Sequence, residues 1–272
     1  TGVVETELAH RLMGDWTPET VTFQSLILTP DPQADLSKPY PFYLAYQLDG
    51  VPDDLGAPEA WGAEHKWDGI RGQVILRQGQ HFVWSRGEEL MTDRFPELAA
   101  LADFVPSGTV LDGELLAWNH DTDAPLSFNA LQKRIGRKTV PKKLLADAPV
   151  VLRAYDVLEW KGDDVRARAF SERRDILKGV MRNVPRDAPL RLSPLLSFDD
   201  WEDLATMRAG SRAIGAEGVM LKRLDSPYRQ GRKKGDWWKW KVDPLVVDAV
   251  MIYAQAGHGR RANLFTDRKS VV

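Results

Sequence analysis

The sequence predicts an α+β fold in which the sheets are antiparallel. Predicted strands and helices are interspersed along the chain, and hairpin signals such as QGQ at 78–80 are frequent. Glycine-rich turns between a strand and a following helix, which are typical of doubly wound parallel sheets, are absent. These observations favour antiparallel sheets with helices over a doubly wound fold.

Strands are predicted where short apolar or alternating runs are bounded by turn residues. The run over 109–118 is largely apolar, which indicates a buried strand, and QGQ is placed to join two strands as a hairpin. The predicted strands cover 63–67, 70–77, 81–85, 109–118, 150–158, 218–223 and 237–242.

Helices are predicted from capping residues and from apolar residues at helical spacing. Ser171 is placed to cap a helix that runs to residue 181. Asp199 or Asp200 begins the next helix, which has Trp201 on its apolar side and runs to residue 214. The other predicted helices cover 5–13, 96–104, 129–135 and 141–146.

The chain divides into three stretches. Residues 1–40 include a stretch rich in Pro and Asp, and we expect them to form a linker or approach segment. Residues 41–243 contain the main series of strands and helices. Beyond them the pattern changes, because the runs 246–254 and 262–266 alternate like strands of a new unit, and the segment 267–272 breaks that alternation.

The composition is that of an ordinary globular protein and excludes several kinds of site. The 272 residues include 37 Lys and Arg, 39 Asp and Glu, and no Cys. Disulfides and cysteine-ligated zinc or iron–sulfur sites are therefore excluded. No apolar run approaches the roughly 20 residues of a membrane helix, and the acidic start lacks the apolar core of a signal peptide. We expect a soluble, cytoplasmic protein.

Positive charge is concentrated near the end of the main block. The formal net charge is −2, but residues 222–241 contain eight basic and two acidic residues, a local charge of +6. Such a run usually means a solvated basic turn. Interleaved Tyr and Trp residues favour the other interpretation, a contact surface for polyanions, without deciding the matter.

The segment EHKWDGIR at 64–71 places a lysine between apolar strand residues and an Asp-Gly turn. Lysine is seldom buried without a partner, and in a half-buried pocket near other cations its neutral amine is a nucleophile. Taken alone, the segment is better explained as a surface lysine beside a turn. Five further segments follow it: WSRGE at 84–88, LDGEL at 111–115, AYDVL at 154–158, EGVMLK at 217–222 and WWKWK at 237–241.

Together the six segments provide one amine, two carboxylates, an aromatic face and several cations, all on or beside predicted strands. Cations neutralise phosphates, carboxylates bind a divalent ion and an aromatic ring stacks on a base. The set therefore fits a nucleoside triphosphate. The five histidines are too scattered for a histidine-based metal site.

In this order the segments resemble the nucleotidyltransferase motifs of the covalent nucleotidyltransferase superfamily, which contains DNA ligases, RNA ligases and mRNA capping enzymes. The forms KWDGIR, SRGE and WKWK are most similar to ATP-dependent DNA ligases of the bacterial type. The resemblance covers about residues 40–266. It implies an adenylation (nucleotidyltransferase) domain over 41–243, with two antiparallel sheets flanked by helices. It also implies the truncated start of an OB-fold β-barrel over 244–272.

The resemblance implies a role for each matching residue. Lys66 would attack ATP and form a lysyl-AMP. Glu64 and the backbone around His65 would read the edge of the adenine, and Tyr155 would stack on its face. Glu217 would bind Mg²⁺ or Mn²⁺. Residues implied in nucleotide binding are Glu64, His65, Arg71, Arg86, Glu114, Tyr155, Lys222, Lys239 and Lys241.

The implied roles of the other residues concern phosphate, ribose and metal. Glu114 would contact the ribose or the metal ion, and Arg71 and Arg86 would hold ribose, phosphate or the DNA termini. The three lysines at 222, 239 and 241 would neutralise the α-phosphate. AMP would then pass to the 5′-phosphate of nicked duplex DNA, and the 3′-hydroxyl would seal the strand.

The resemblance further implies a monomer, a place on the bacterial nucleoid, and complete OB and DNA-binding domains in the whole protein. The last basic motif of the family lies in the OB domain and has no counterpart over 244–272. We therefore expect weak labelling by ATP and poor nick sealing.

Three alternatives stay open. An RNA ligase or a capping-type guanylyltransferase shares the lysine motif. An NAD-dependent ligase would carry a nicotinamide-binding domain and a four-Cys zinc module, which the absence of Cys and the 65 residues before Lys66 disfavour. A non-catalytic nucleic-acid-binding module would use only the basic segment.

Overall fold

Two β-sheets line a common cleft, and short helices connect and cover their strands. The computed structural model describes residues 17–19, 21–28, 36–137, 139–244, 246, 248, 250–257 and 265–271. The strands of the main block are β1 (Tyr43–Leu44), β2 (Tyr46–Gln47), β3 (Trp61–Trp67), β4 (Ile70–Arg77), β5 (Gln80–Ser85), β6 (Thr109–Asn119), β7 (Ala124–Pro125), β8 (Val150–Trp160), β9 (Asp163–Asp164), β10 (Leu190–Leu192), β11 (Leu195–Leu196), β12 (Ala216–Arg223), β13 (Gly231–Arg232) and β14 (Trp237–Lys241).

Among the described residues, four α-helices and several short 3₁₀ helices lie between these strands, and a π-helix precedes β1. The α-helices are α1 (Phe128–Ile135), α2 (Lys142–Asp147), α3 (Phe170–Met181) and α4 (Trp201–Ala209). The shorter helices are the π-helix Gln24–Leu28 and the 3₁₀ helices Pro52–Leu55, Pro58–Ala60, Thr92–Arg94, Pro96–Asp103 and Ser211–Ile214.

The first sheet has the strand order β10-β8-β6-β4-β5, with β7 paired to β6 and β9 paired to β8. One face of this sheet is apolar, and Val74 and Leu115 pack there in a buried core with Leu98 of a 3₁₀ helix and Leu177 of α3. Because successive strand residues alternate between faces, Glu114 next to Leu115 is turned to the opposite face, which lines the cleft.

The second sheet has the strand order β11-β3-β12-β14-β2. Helix α4 covers one face of it, where Trp201 and Leu204 form a buried core with Ala63 of β3 and Val219 of β12. Burial of these apolar side chains fixes the strands that carry Glu64 and Lys66.

The chain crosses from the second sheet to the first at Asp68 and Gly69. Strand β3 ends at Trp67 in one sheet, and β4 begins at Ile70 in the other. A Cβ on Gly69 would lie 2.4 Å from the carbonyl oxygen of Leu115, so the close approach to β6 requires glycine. The short crossing brings the ends of β3 and β4 to the same cleft.

Most predicted strands are confirmed within one or two residues, but the sheets are not wholly antiparallel. The pairs β1–β13, β10–β8 and β14–β2 are parallel. Each pair includes at least one strand of only two or three residues, which lies at a sheet edge or in a separate ribbon. Such short partners are brought together by long connections, which hairpin signals in the sequence do not reveal.

The predicted cap at Ser171 is wrong. Helix α3 begins one residue earlier, at Phe170, with Ala169 at the capping position and no side-chain cap. The backbone N–H of Ser171 donates to the carbonyl of Leu224 at 2.9 Å. The neighbouring loop therefore satisfies this donor, and no side-chain cap is needed there.

The helix predicted over 199–214 is confirmed at its start and corrected at its end. The Asp200 carboxylate caps α4 by accepting from the N–H of Asp203 at 2.8 Å. The α-helix stops at Ala209, before Gly210, and a separate 3₁₀ turn follows over Ser211–Ile214. Gly210 favours such an interruption because glycine weakens a helix interior. The helix predicted over 5–13 lies outside the described residues.

The described residues from Val242 onward form a second compact unit. It contains β15 (Val250–Ala256) and β16 (Phe265–Val271), which pair in antiparallel orientation. The strand predicted over 246–254 therefore begins and ends later, and residues 262–264 lie outside the described part. Strand β16 continues through 267–271, so the expected break in the strand pattern is wrong. Among the described residues, no helix is long and apolar enough to cross a membrane.

Candidate active site

The cleft between the two sheets has a volume of about 1090 Å³ and is lined by strands β3, β4, β6, β8, β12 and β14. All the site residues that were predicted from the sequence line this cleft. They are Glu64, His65, Lys66, Arg71, Arg86, Glu114, Tyr155, Glu217, Lys222, Lys239 and Lys241.

Lys66 lies near the end of β3 and forms an ion pair with Glu217 of β12. The second carboxylate oxygen of Glu217 accepts from Lys241 Nζ at 2.5 Å. An irregularity in β12 between Ala216 and Val219 shifts the pairing with β3 at this point. Gly218 permits it with a φ of +139°, packed so closely on β14 that a Cβ would lie 2.3 Å from the Trp240 carbonyl.

The charge around Lys66 is balanced by carboxylates in unlike environments. Burial raises the pKa of Glu217, but hydrogen bonds from Lys241 and Lys66 outweigh it, so the pKa lies below the usual value. Burial and the nearby Glu217 charge raise the pKa of Asp68. Glu217 is therefore an anion at neutral pH, as a ligand of a divalent cation must be.

Glu114 is the other predicted metal ligand, and it lies on β6 directly across from Arg71 of β4. Burial raises the pKa of its carboxyl to about 7, against the opposing effect of the Lys66 and Arg71 charges. Glu114 is thus close to half-protonated at neutral pH. Additional positive charge in the cleft would favour its ionised form.

Glu64 is paired with two cations at the buried end of the cleft. Its Oε2 accepts from Lys222 Nζ at 2.7 Å, and its Oε1 accepts from Arg174 at 3.0 Å. All three side chains are only 2% exposed. The resemblance implies that Lys222, Lys239 and Lys241 together neutralise the α-phosphate. In the structure, Lys222 instead lies against Glu64.

Three aromatic rings enclose the Lys222 ammonium. Its Nζ lies 4.5 Å from the ring centre of Tyr155, 4.6 Å from that of Trp237 and 4.8 Å from that of Phe170. Such contacts stabilise a desolvated cation. The predicted stacking residue Tyr155 thus lines the cleft beside the Glu64–Lys222 pair.

Arg71 ties the first sheet to the β1–β13 ribbon. It donates from Nε and one terminal nitrogen to Asp112, at 3.1 and 2.7 Å, and from the other terminal nitrogen to the carbonyl of Tyr43 at 2.7 Å. The Tyr228 hydroxyl donates to the same Asp112 carboxylate at 2.7 Å. Most donors of Arg71 are therefore engaged within the protein.

His65 and Arg86 occupy opposite environments. Burial, with a contribution from the Arg153 charge, lowers the pKa of His65, whose Nδ1 is buried without a hydrogen-bond partner among the described residues. Arg86 is exposed at the rim, and its backbone N–H donates to the carbonyl of Arg71 at 3.0 Å. Arg86 can reach a ligand that extends beyond the cleft, whereas His65 lies in its wall.

The basic segment 222–241 is partly neutralised by local pairs. Arg223 pairs with Asp225 at 2.6 Å, and Arg229 pairs with Asp236 at 2.7 Å. Arg232 is exposed and lines the cleft with Lys239. Burial lowers the pKa of Lys239, as do the charges of Arg232, Lys241 and Lys66. The positive charge that faces the cleft is thus smaller than the local charge of +6 counted from the sequence.

Sequence reasoning missed Arg174, Asp112 and Arg232. Arg174 shares the buried stripe of α3 with Phe170 and Leu177, and two arginines on such a stripe are a detectable sign of buried ion pairs. Asp112 lies in the segment LDGEL, in which only Glu114 was predicted to have a role. Nothing in the sequence distinguished Arg232 from its basic neighbours.

The carboxylates of the cleft fit a divalent cation that arrives with a triphosphate. Within the described ranges, no three His, Cys, Asp or Glu side chains are grouped as in a preformed metal site. Mg²⁺ is often held by one or two carboxylates together with substrate phosphates and water. Glu217 and Glu114 meet that requirement.

Two sheets enclose a cleft in which a lysine at the end of one strand faces carboxylates and further lysines, an arrangement that fits a nucleotidyltransferase-type fold. The chain belongs to the ATP-dependent DNA ligases, because the family model described as ATP dependent DNA ligase domain matches residues 43–241.

Curated relatives agree with this family. The chain is 30% identical over 286 residues to a probable DNA ligase of Koribacter versatilis, covering 97% of this chain and 49% of the relative. It is 35% identical over 230 residues to a DNA ligase of Haloferax volcanii, covering 84% of this chain and 38% of the relative. The chain thus spans half or less of the length of these relatives.

Solved structures show the same fold. A mycobacterial DNA ligase D complexed with ATP and MES superposes with a TM-score of 0.59 at 29% identity, over 74% of this chain and 60% of the other. The ligase domain of M. tuberculosis LigD has a TM-score of 0.57 at 31% identity over the same shares. The Chlorella virus DNA ligase-adenylate, at 19% identity and a TM-score of 0.54, supports the fold alone.

Proposed function

We propose that this chain is the catalytic core of an ATP-dependent DNA ligase, with Lys66 as the residue that becomes adenylated. The observation that carries the proposal is the placement of Lys66 in the cleft. It is held by Glu217, and Lys239 and Lys241 line the same wall. A lysine so placed faces the cations that a triphosphate requires.

In the first step Lys66 Nζ attacks the α-phosphorus of ATP. A P–N bond forms as the bond between the α-phosphorus and the oxygen bridging to the β-phosphate breaks, and pyrophosphate leaves with that oxygen. The Lys66 ammonium gives up one proton to solvent water before the attack and a second one after it, so the nitrogen of lysyl-AMP carries one hydrogen and no charge. Lys239 and Lys241 stabilise negative charge on the phosphate oxygens.

Glu217 and Glu114 would hold the divalent cation, for which we propose Mg²⁺ or Mn²⁺. When bound, the cation supplies positive charge against the triphosphate. The chain itself contributes orientation, because the register of β3, β12 and β14 fixes Lys66, Glu217 and Lys241 relative to one another. Such positioning provides a large part of phosphoryl-transfer catalysis.

The proposed substrate is nicked duplex DNA. AMP passes from Lys66 to the 5′-phosphate, and the adjacent 3′-hydroxyl then attacks that phosphate, releases AMP and seals the strand. Arg86 and Arg232, both exposed and lining the cleft, are placed to contact backbone phosphates.

We also propose the domain organisation expected from the sequence. Residues 1–40 would be a linker, 41–243 the adenylation domain and 244–272 the start of an OB-fold domain, in a monomer whose whole form carries further domains. The end of the family match at 241, the second unit from Val242 and the antiparallel β15–β16 pair support this division.

Covalent labelling with α-³²P-ATP and Mg²⁺ tests the proposal. We expect a labelled band that is lost in Lys66→Ala, because this substitution removes the proposed nucleophile. Lys178→Ala is the matched control, since Lys178 is an exposed lysine of α3 paired with Asp175. A Lys66→Ala protein that still labels contradicts the assignment.

The same assay separates the alternatives. Labelling by GTP in preference to ATP would indicate a capping-type guanylyltransferase, and transfer of AMP to RNA ends in preference to nicked DNA would indicate an RNA ligase. Salt-sensitive DNA binding that is unaffected by Lys66→Ala, with no labelling, would indicate a non-catalytic binding module.

A further inference from the structure

Glu64 is held by a second residue that the motif pattern does not contain. Arg174 of α3 donates to Glu64 Oε1 at 3.0 Å, to the carbonyl of Tyr155 at 3.2 Å and to the carbonyl of Ser193 at 2.7 Å. One buried guanidinium therefore links β3 of the second sheet to β8 of the first. It fixes the carboxylate of Glu64 relative to the strand that carries the Tyr155 ring.

The two cations on Glu64 also fix the kind of hydrogen bond that it can form. A carboxylate paired with Arg174 and Lys222 is ionised and can only accept, whereas a protonated carboxyl could also donate. Each carboxylate oxygen has two acceptor positions, so each keeps one beyond the hydrogen bond already made. Glu64 therefore offers free acceptor positions, and no donor, to a ligand in the cleft.

Where it faces position 6 of the base, an acceptor without a donor distinguishes the two purines. Adenine carries an amino group at position 6, which donates, whereas guanine carries a carbonyl there, which accepts. A guanine carbonyl facing Glu64 would be repelled and left without a partner, and sites built around one hydrogen bond reject such analogues strongly.

We propose that Arg174 is a positioning residue that sets the base selectivity of the cleft, by holding Glu64 in place as an acceptor-only group. The inference rests on the proposed function, since it assumes that the base of the nucleotide lies beside Glu64 and Tyr155. It predicts that weakening the Arg174–Glu64 contact changes the preference between ATP and GTP, and not merely the amount of folded protein.

The test compares initial rates of covalent labelling by α-³²P-ATP and α-³²P-GTP in wild type, Arg174→Gln and Arg174→Lys. In Arg174→Gln we expect the ratio of ATP to GTP efficiency to fall by about tenfold or more. Arg174→Lys keeps the charge and should restore part of the ratio. Arg182→Gln removes an exposed arginine that follows α3 and should leave the ratio unchanged.

A purely structural role of Arg174 would reduce the efficiencies of labelling by ATP and by GTP by the same factor. An unchanged ratio of the two efficiencies in Arg174→Gln therefore overturns the proposal. If Arg174→Gln does not fold by circular dichroism, Glu64→Gln carries the test. Its amide can donate to a guanine carbonyl, so we expect the same fall in ratio, and an unchanged ratio again overturns the inference.

The failure of the proposed function has a different signature. A wild type that neither ATP nor GTP labels contradicts the adenylation of Lys66. In that case the equilibrium affinities for unlabelled ATP and GTP, measured by calorimetry, take the place of the rates. Equal shifts of the two affinities in Arg174→Gln would overturn the inference, and a selective loss for ATP would support it.

Discussion

A single residue of the cleft, Glu114, makes the free energy of unfolding depend on pH. In the unfolded chain a glutamate loses its proton near pH 4.5, whereas burial raises the pKa of Glu114 in the folded chain to about 7. Between these values the folded state binds more protons than the unfolded state. The contribution of Glu114 to the free energy of unfolding therefore decreases as the pH rises from 4.5 to 7, and this decrease is complete above 7.

Replacing Glu114 by Gln removes this loss. We expect Glu114→Gln to be more stable than wild type at pH 8 by up to about 3 kcal/mol, and to show no such gain at pH 4.5. Urea unfolding at both pH values, in the presence of EDTA, measures the difference. Glu59→Gln, at an exposed glutamate, is the control. An equal effect of Glu114→Gln at both pH values would contradict the burial of this carboxyl.

At the scale of single residues, the sequence predicted which residues line the cleft better than how deeply each one is buried. The sequence correctly groups Lys222 with the other residues of the cleft. It could not show that Lys222 is 2% exposed, because that depends on Tyr155, Phe170 and Trp237, which come from distant parts of the chain.

Among the elements, the crossing between β3 and β4 determines how closely the two sheets approach. Gly69 lies against Leu115 and Glu114 of β6 so tightly that a methyl group would meet backbone, which cannot move without shifting the strand. We expect Gly69→Ala to lower the free energy of unfolding by about 2–4 kcal/mol and to reduce labelling by ATP.

Gly179→Ala is the matched control for this element. Gly179 lies within α3, and nothing stands within 4 Å of a Cβ placed there. Alanine favours a helix interior, so this substitution should raise the free energy of unfolding by roughly 0.5–1 kcal/mol. Chemical denaturation of both variants gives the comparison. A Gly69→Ala protein as stable as wild type would show that the backbone of β6 can shift to make room for a methyl group at the crossing.

The elements were predicted well where pattern and local chemistry determine them. The strands of the two large sheets follow from apolar runs and turn residues, and Asp200 caps α4 as expected. The start of α3 was missed because Leu224, from a distant loop, satisfies the N–H of Ser171. The parallel edge pairs were missed for the same reason, since tertiary contacts determine them.

For the whole molecule, the distribution of charge matters more than its sum. The net charge of −2 conceals a cleft whose rim carries exposed cations such as Arg86 and Arg232. We expect binding of nicked DNA to weaken steeply with salt, because phosphate contacts release counterions. In Arg232→Ser, the slope of log affinity against log salt should become shallower by about one.

Fluorescence anisotropy with a labelled nicked duplex, over a series of NaCl concentrations, measures this slope. Arg182→Ser removes the same charge at an exposed site beyond α3 and should leave the slope unchanged. If Arg232→Ser binds with the wild-type slope, DNA does not contact this rim of the cleft.

The crossing at Gly69 also limits how the length of the chain can vary. Lys66 and Arg71 belong to different sheets, and only Asp68 and Gly69 separate their strands. An inserted residue here would shift the alternation of one strand relative to the other. The spacing of KWDGIR is therefore a packing requirement as well as a chemical one, and we expect a residue inserted between Trp67 and Ile70 to disrupt the cleft.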